Sequence, residues 1–292
     1  MTGTIVKTLS GFYYVSCEDT VYECRARGKF RIDGTSPLVG DRVSFSIDSN
    51  SKGYIDKVYA RTNFFIRPAV ANIDTMVFIA ANTNPVTDPF LIDRVSVIAE
   101  KASCELIICL NKTDIDPADD LYDIYTSSGF TVIRTSAQSG EGIDGLVSVL
   151  KGKTCAFTGN SGVGKSSILN AILPDLKLPV GEVSEKLGRG KHTTRHVELF
   201  SIGNNTYIAD TPGFASFDVE MIQSIDKREL QHCFSEFREY IGKCRFNDCV
   251  HLKEPDCAVT DAVRDGRIHA SRYESYRKLF EQTSQISFWE MK

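Results

Sequence analysis

Thr154-Cys-Ala-Phe-Thr-Gly159-Asn160-Ser161-Gly162-Val163-Gly164-Lys165-Ser166-Ser167 is the stretch on which the fold turns. A strand-sized apolar run, Thr154–Thr158, leads directly into two glycines placed so that Lys165 and Ser166 follow. Ser167–Leu173 then predicts a helix. Strand, glycine-rich loop and helix in that order make a P-loop. The glycines let the backbone curl so that its N–H groups face phosphate oxygens, and the helix amino terminus adds positive potential at the same place. Lys165 is expected to reach the β- and γ-phosphates of a nucleotide, and Ser166 to ligate Mg²⁺.

Working outward toward the amino terminus, Asn111-Lys112-Thr113-Asp114 follows the apolar run Leu106–Leu110. A carboxylate at Asp114 can accept from both N1–H and the exocyclic amine of guanine. Adenine offers neither donor and would leave that carboxylate unpaired. Asn111 is expected to tie this loop to the P-loop, and the Lys112 stem to pack on the base. One βα unit later, Thr135-Ser136-Ala137 ends the strand Thr131–Arg134, and the Ala137 N–H is expected to meet guanine O6. In the other direction, Gly188-Arg-Gly-Lys-His192-Thr193-Thr194 occupies the switch I interval, where one threonine, Thr194 by preference, should complete the Mg²⁺ shell. Asp210-Thr-Pro-Gly213 follows Tyr207–Ala209. Asp210 should hold Mg²⁺ through a water and the Gly213 N–H should sense the γ-phosphate. Phe214 stands where Ras-like enzymes often carry a water-orienting Gln, so His192 becomes the candidate catalytic group beside Lys165.

The order of these motifs is permuted: guanine loop, Ser-Ala loop, P-loop, switch I, switch II. Catalysis needs only their convergence at the carboxyl ends of parallel strands, and chain ends that lie close in space tolerate such a permutation. Lys151-Gly152-Lys153 is the expected join.

Three segments are predicted. Residues 1–66 carry five short β-rich runs separated by turn residues, as in a small OB-type barrel, with an SH3-like barrel as the alternative. Residues 67–222 alternate apolar strands with helices, giving a mostly parallel α/β sheet. Residues 223–292 are polar and mostly helical, and hold Cys244-x4-Cys249-x-His251-x5-Cys257. Three thiolates and one imidazole within fourteen residues match a closed, structural Zn²⁺ site, in a segment expected to be too small for its own core. The chain carries −4 overall, yet residues 1–67 hold ten basic against seven acidic residues, the footprint expected of a polyanion-binding module or, equally, of a solvated strand face bearing Arg25, Lys29 and Arg31. Phe12, Tyr13 and Tyr14 could stack on bases, but for any one of them the expectation is that it fills the core. Arg264, Arg267, Arg272, Arg277 and Lys278 are interleaved with acids, which favours a solvated helix over a phosphate-binding one. No apolar run is long enough to span a bilayer, no signal stretch opens the chain, and nine cysteines fit a reducing, cytoplasmic setting.

Permuted order, a preceding barrel and a following Cys/His cluster together resemble the RsgA/YjeQ/YloQ family of bacterial small-subunit-dependent GTPases. The matching residues are Asn111–Asp114, Gly159–Ser166, Gly188–Thr194, Asp210–Gly213 and the four metal-ligand candidates. The resemblance implies binding to the 30S subunit and its 16S rRNA late in assembly, with GTP hydrolysed to GDP on the subunit and the protein then leaving. It also supports His192 as catalytic. A monomer is the default expectation. The alternative is a nucleotide-gated RNA-binding scaffold in which hydrolysis is incidental.

Overall fold

Five strands near the amino terminus close on themselves: β1 (Thr2–Leu9), β2 (Phe12–Cys17), β3 (Thr20–Ala26), β4 (Arg42–Ile47) and β5 (Gly53–Val58). Pairing runs β1–β2–β3–β5–β4 and returns to β1, with β3 and β5 parallel and the other pairs antiparallel. Alternation along the strands decides what fills the barrel. Ile5, Val15, Cys24, Val43, Phe45 and Ile55 point inward and are at most 1% exposed. The closed ring leaves no free strand edges and has the OB-like form expected.

The computed structural model describes residues 1–18, 20–28, 30, 36–66, 68–174, 197–210, 222 and 225–284. These pack as two compact units, each with its own core. The first comprises Met1–Met76, Val147–Phe157 and the described residues within Pro179–Phe214. The second comprises Val77–Leu146 and the described residues within Thr158–Leu178 and Ala215–Lys292.

In the first unit a short ribbon, β6 (Phe64–Phe65) with β7 (Val70–Ala71), follows the barrel. Buried Asp41 is met there by Arg61 through two 2.7 Å contacts. Of the later strands, β8 (Thr75–Ala80) is buried at every residue, while β9 (Glu105–Leu110) and β10 (Thr131–Arg134) follow in the second unit and β11 is Thr154–Gly159. β12 (Glu198–Ser201) was not anticipated: four residues of mixed polarity carry little periodicity. It pairs antiparallel with β13 (Tyr207–Asp210) and with β1 at Lys7↔Glu198. β13 runs parallel to β11. The join at Lys151–Lys153 is a turn with Gly152 at φ 74°.

The second unit orders its strands β10–β9–β8, with β9 and β10 parallel. The helices are α1 (Pro89–Lys101), α2 (Asp119–Ser127), α3 (Ile143–Leu150), α4 (Lys165–Ile172), α5 (Ala258–Arg264) and α6 (Ala270–Ser284). Asp88 caps α1 by accepting from the Phe90 N–H at 2.9 Å, and Pro89 suits the first helical position.

The packing corrects two expectations. The carboxy-terminal segment has its own core, in which Phe234, Phe237 and Tyr276 pack edge-to-face and stacked with centroids 5.0–5.4 Å apart. Arg272 is not on a solvated face, since it is 0% exposed. Its guanidinium meets Glu236 at 2.7 and 3.2 Å, Asp93 of α1 at 2.6 Å and Ser96 at 3.1 Å. The Phe234 ring lies 4.8 Å away. Tyr125 of α2 donates to the same Asp93 oxygen at 2.8 Å. By contrast Arg264, Arg267 and Arg277 pair with neighbouring acids on the surface, as a solvated helix would have it. Among the described residues no helix is long and apolar enough to cross a membrane.

Candidate functional site

In the second unit the loops after β9, β10 and β11 converge on one side chain. Asn111, 2% exposed, donates from Nδ2 to the Val163 carbonyl of the P-loop at 2.8 Å. Its Oδ1 accepts the Ala137 N–H at 3.1 Å. The N–H expected on guanine O6 is thus held by Asn111 in this structure. Thr113 closes the third side: its hydroxyl donates to the Thr135 carbonyl at 2.9 Å. Ser136 is fully buried and its hydroxyl accepts from the Ser139 N–H at 3.1 Å. Lys112 reaches back over the P-loop, donating to the Gly162 carbonyl at 2.8 Å and to the Asn84 carbonyl. Asp114 is exposed at the open side of this frame, where a base edge could reach it.

Glycine is obligatory at two points of the P-loop. At Gly164, with φ 98°, a Cβ would lie 2.2 Å from Asn111 Nδ2, so a side chain would break the bridge between base loop and phosphate loop. At Gly159 a Cβ would lie 2.3 Å from the Ile79 carbonyl of β8. Between them Val163 is fully buried and anchors the loop, while Asn160, Ser161 and Gly162 are half-buried or exposed. Lys165, Ser166 and Ser167 open α4 half-exposed, so the Ser166 hydroxyl is free of the core and fits a hard, oxygen-preferring cation such as Mg²⁺. Asp210 ends β13. Its side chain, Gly188–Thr194 with His192, Thr193 and Thr194, and Thr211–Phe214 with Gly213 lie outside the described residues.

The Cys/His expectation is met by geometry. The donor atoms of Cys244, Cys249, His251 and Cys257 all lie within 4.8 Å of one another. Cys244 and Cys257 sulfurs are 3.8 Å apart, and His251 Nδ1 is 3.4–3.5 Å from all three sulfurs. Zn–S arms of about 2.3 Å and a Zn–N arm of about 2.0 Å make tetrahedral edges of about 3.8 and 3.5 Å, so the set fits one Zn²⁺. The sequence did not reveal how the loop is held. His251 Nε2 faces Gln231 Oε1 at 2.8 Å, which leaves Nδ1 for the metal. The Glu254 carboxylate accepts the N–H groups of Val250, Leu252 and Lys253 at 2.9–3.0 Å. Burial opposes its charge, but those N–H groups prevail and hold its pKa at about 2. Cys233 and His232 take no part in the cluster.

On the barrel, Phe12, Tyr13 and Tyr14 are half-exposed and none is core. The exposed Arg25 lies over Phe12 at 4.6 Å, Arg27 over Tyr54 at 5.5 Å, and Lys57 and Arg42 over Tyr59 at 5.1 and 5.9 Å. A cleft of about 370 Å³ opens beside the Arg25–Phe12 pair, lined also by Tyr13 and Arg27.

Residues 2–55 match the RsgA N-terminal domain, and residues 58–220 match the RsgA GTPase. The small ribosomal subunit biogenesis GTPase RsgA of Caldanaerobacter subterraneus subsp. tengcongensis is 43% identical over 97% of this chain and 96% of its own. The crystal structure of YjeQ from Thermotoga maritima superposes with a TM-score of 0.85 at 37% identity, covering 98% of this chain and 99% of that one. YloQ, described as a circularly permuted GTPase, gives 0.80 at 36% identity, covering 97% and 95%.

Proposed function

This chain belongs to the RsgA GTPase family, and from that premise we propose that it binds the 30S ribosomal subunit, assists its late maturation and hydrolyses GTP to GDP and phosphate when the subunit stimulates it. The observation that carries the reading is Asn111, whose one side chain joins the P-loop to the Ser-Ala loop and sets Asp114 at the open side of the frame. In this reading residues 67–222 are the permuted GTPase domain, residues 1–66 the RNA-binding barrel and residues 223–292 the zinc-binding domain.

Guanine is recognised by Asp114, with Asn111, Lys112, Thr113, Ser136 and Ala137 shaping the base pocket. The Gly159–Ser167 backbone takes the phosphates, and Lys165 stabilises charge on the β- and γ-oxygens. Ser166 and Thr194, with Asp210, would hold Mg²⁺, which would supply neutralisation of phosphate charge. His192 orients the attacking water, because Phe214 offers no polar atom for it. Thr193 and Gly213 also bind GTP, the Gly213 N–H sensing the γ-phosphate. One structural Zn²⁺ on Cys244, Cys249, His251 and Cys257 stiffens the carboxy-terminal domain.

The barrel's paired cations and rings support 16S rRNA as its ligand, since rings stack on unpaired bases while guanidinium groups meet phosphates. The protein acts as a cytoplasmic monomer. Co-sedimentation with purified 30S subunits tests the cycle. With a non-hydrolysable GTP analogue the protein should pellet with 30S and not with 50S, and with GDP it should stay in the supernatant. Equal retention with both nucleotides would remove hydrolysis as the release step.

A further inference from the structure

A short turn between β8 and α1 touches both loops of the base pocket, and no motif of the sequence pointed to it. Asn82 bridges back to Val86, closing the turn. Ala81 and Thr87 lock its base, with the Thr87 N–H donating to the Ala81 carbonyl at 2.8 Å and the Ala81 N–H to the Thr87 hydroxyl at 3.0 Å. From this stiff support Asn82 Nδ2 lies 3.1 Å from each oxygen of Asp116, two residues beyond Asp114. The Asn84 carbonyl accepts Lys112 Nζ, and the Pro85 ring faces Gly162 of the P-loop.

We infer that Asn82 is a positioning residue for guanine recognition: by holding Asp116 it fixes the end of the loop that carries Asp114, and so the angle at which Asp114 meets the base. The inference rests on the guanine reading of that pocket. Asp116 is suited to the task because its carboxylate also accepts the Ala118 N–H at 2.8 Å, within the turn that precedes α2. The Ala118 N–H first, and Asn82 second, hold its carboxyl below the usual carboxylate range, so it stays charged near neutral pH. No other acid is described in contact with this pair. Lys112 is the cation of the same loop, and its Nζ is engaged with the Asn84 and Gly162 carbonyls.

The test is a charge swap read by nucleotide affinity in the full-length protein. Asn82→Asp sets two carboxylates against each other, and GDP affinity at pH 8 should fall about tenfold. GDP should fall more than IDP, which lacks the exocyclic amine that Asp114 reads. The double variant Asn82→Asp/Asp116→Asn rebuilds the hydrogen bond in reverse, and the amide it places at position 116 can still accept the Ala118 N–H. It should restore both affinity and the preference for GDP. Asn82→Ala, the milder change, should lose roughly fivefold in GDP affinity. Wild-type affinity in a folded Asn82→Asp protein, equal loss of GDP and IDP, or failure of the swap to rescue would each overturn the inference. A wild-type protein that does not bind GDP would overturn the guanine reading itself.

Discussion

Replacing Arg272 by alanine is expected to cost the second unit about 3–5 kcal/mol, enough to unfold the docked carboxy-terminal segment under mild denaturant. The guanidinium is wholly buried and answers two carboxylates, Asp93 and Glu236, from different elements. Asp93 is itself fully buried, and its Oδ2 has no hydrogen-bond partner among the described residues, so it depends on the Arg272 charge. Burial works against a charged guanidinium, but Asp93 and then Glu236 outweigh it and raise the arginine's pKa. Removing the cation leaves buried Asp93 and half-buried Glu236 uncompensated, with Tyr125 donating to Asp93. Arg272→Lys should recover only part of the loss, because an ammonium cannot form the two-pronged contact to Glu236 while reaching Asp93. Urea titration of the full chain, with hydrogen exchange read in α1 and α6, measures this. A cost near 1 kcal/mol for the alanine variant, as for a surface pair, would show that the network is not the clamp described here.

Asp114→Asn should move nucleotide preference from GTP toward XTP by roughly 10²–10⁴-fold, the worth of two hydrogen bonds to a charged acceptor. Asparagine presents a donor to the ring edge where guanine also presents donors, and xanthine, with a carbonyl in place of the amine, accepts it. The scaffold around Asp114 should be unaffected, because its described contacts run through Asn111, Lys112 and Thr113 and not through Asp114. Equilibrium titration with GDP and XDP decides the matter. Loss of both nucleotides together would mean that Asp114 holds the loop's shape and does not read the base.

Much of this architecture could be read from local pattern. The five short β-rich runs read in residues 1–66 are the five barrel strands. Thr131–Arg134 falls where expected, because apolar runs bounded by glycine or polar turns leave little choice of period. The P-loop and guanine motifs were legible because phosphate and base chemistry demand particular residues at fixed spacing. The features that escaped are long-range. β12 is recruited by pairing with β1 and β13, which no four-residue window encodes. Asn82 matters only because folding brings it beside Asp116, thirty-four residues away. Arg272 was misjudged for a different reason. A charged residue in a charge-rich helix defaults to solvent, yet Arg272, Tyr276, Leu279, Phe280 and Thr283 share one buried face. That i, i+4, i+7, i+8, i+11 spacing was a signal available in the sequence.

The measurement that bears most directly on the account is steady-state GTP hydrolysis by the purified protein, alone and with 30S subunits, using 50S subunits and Lys165→Ala as controls. Alone, turnover should be slow, on the order of 10⁻⁴–10⁻² s⁻¹, and 30S should raise it at least about tenfold while 50S does not. Lys165→Ala should abolish the stimulated rate. Intact GTP binding with no acceleration by 30S would contradict the ribosome-activated enzyme and leave the nucleotide-gated scaffold in its place.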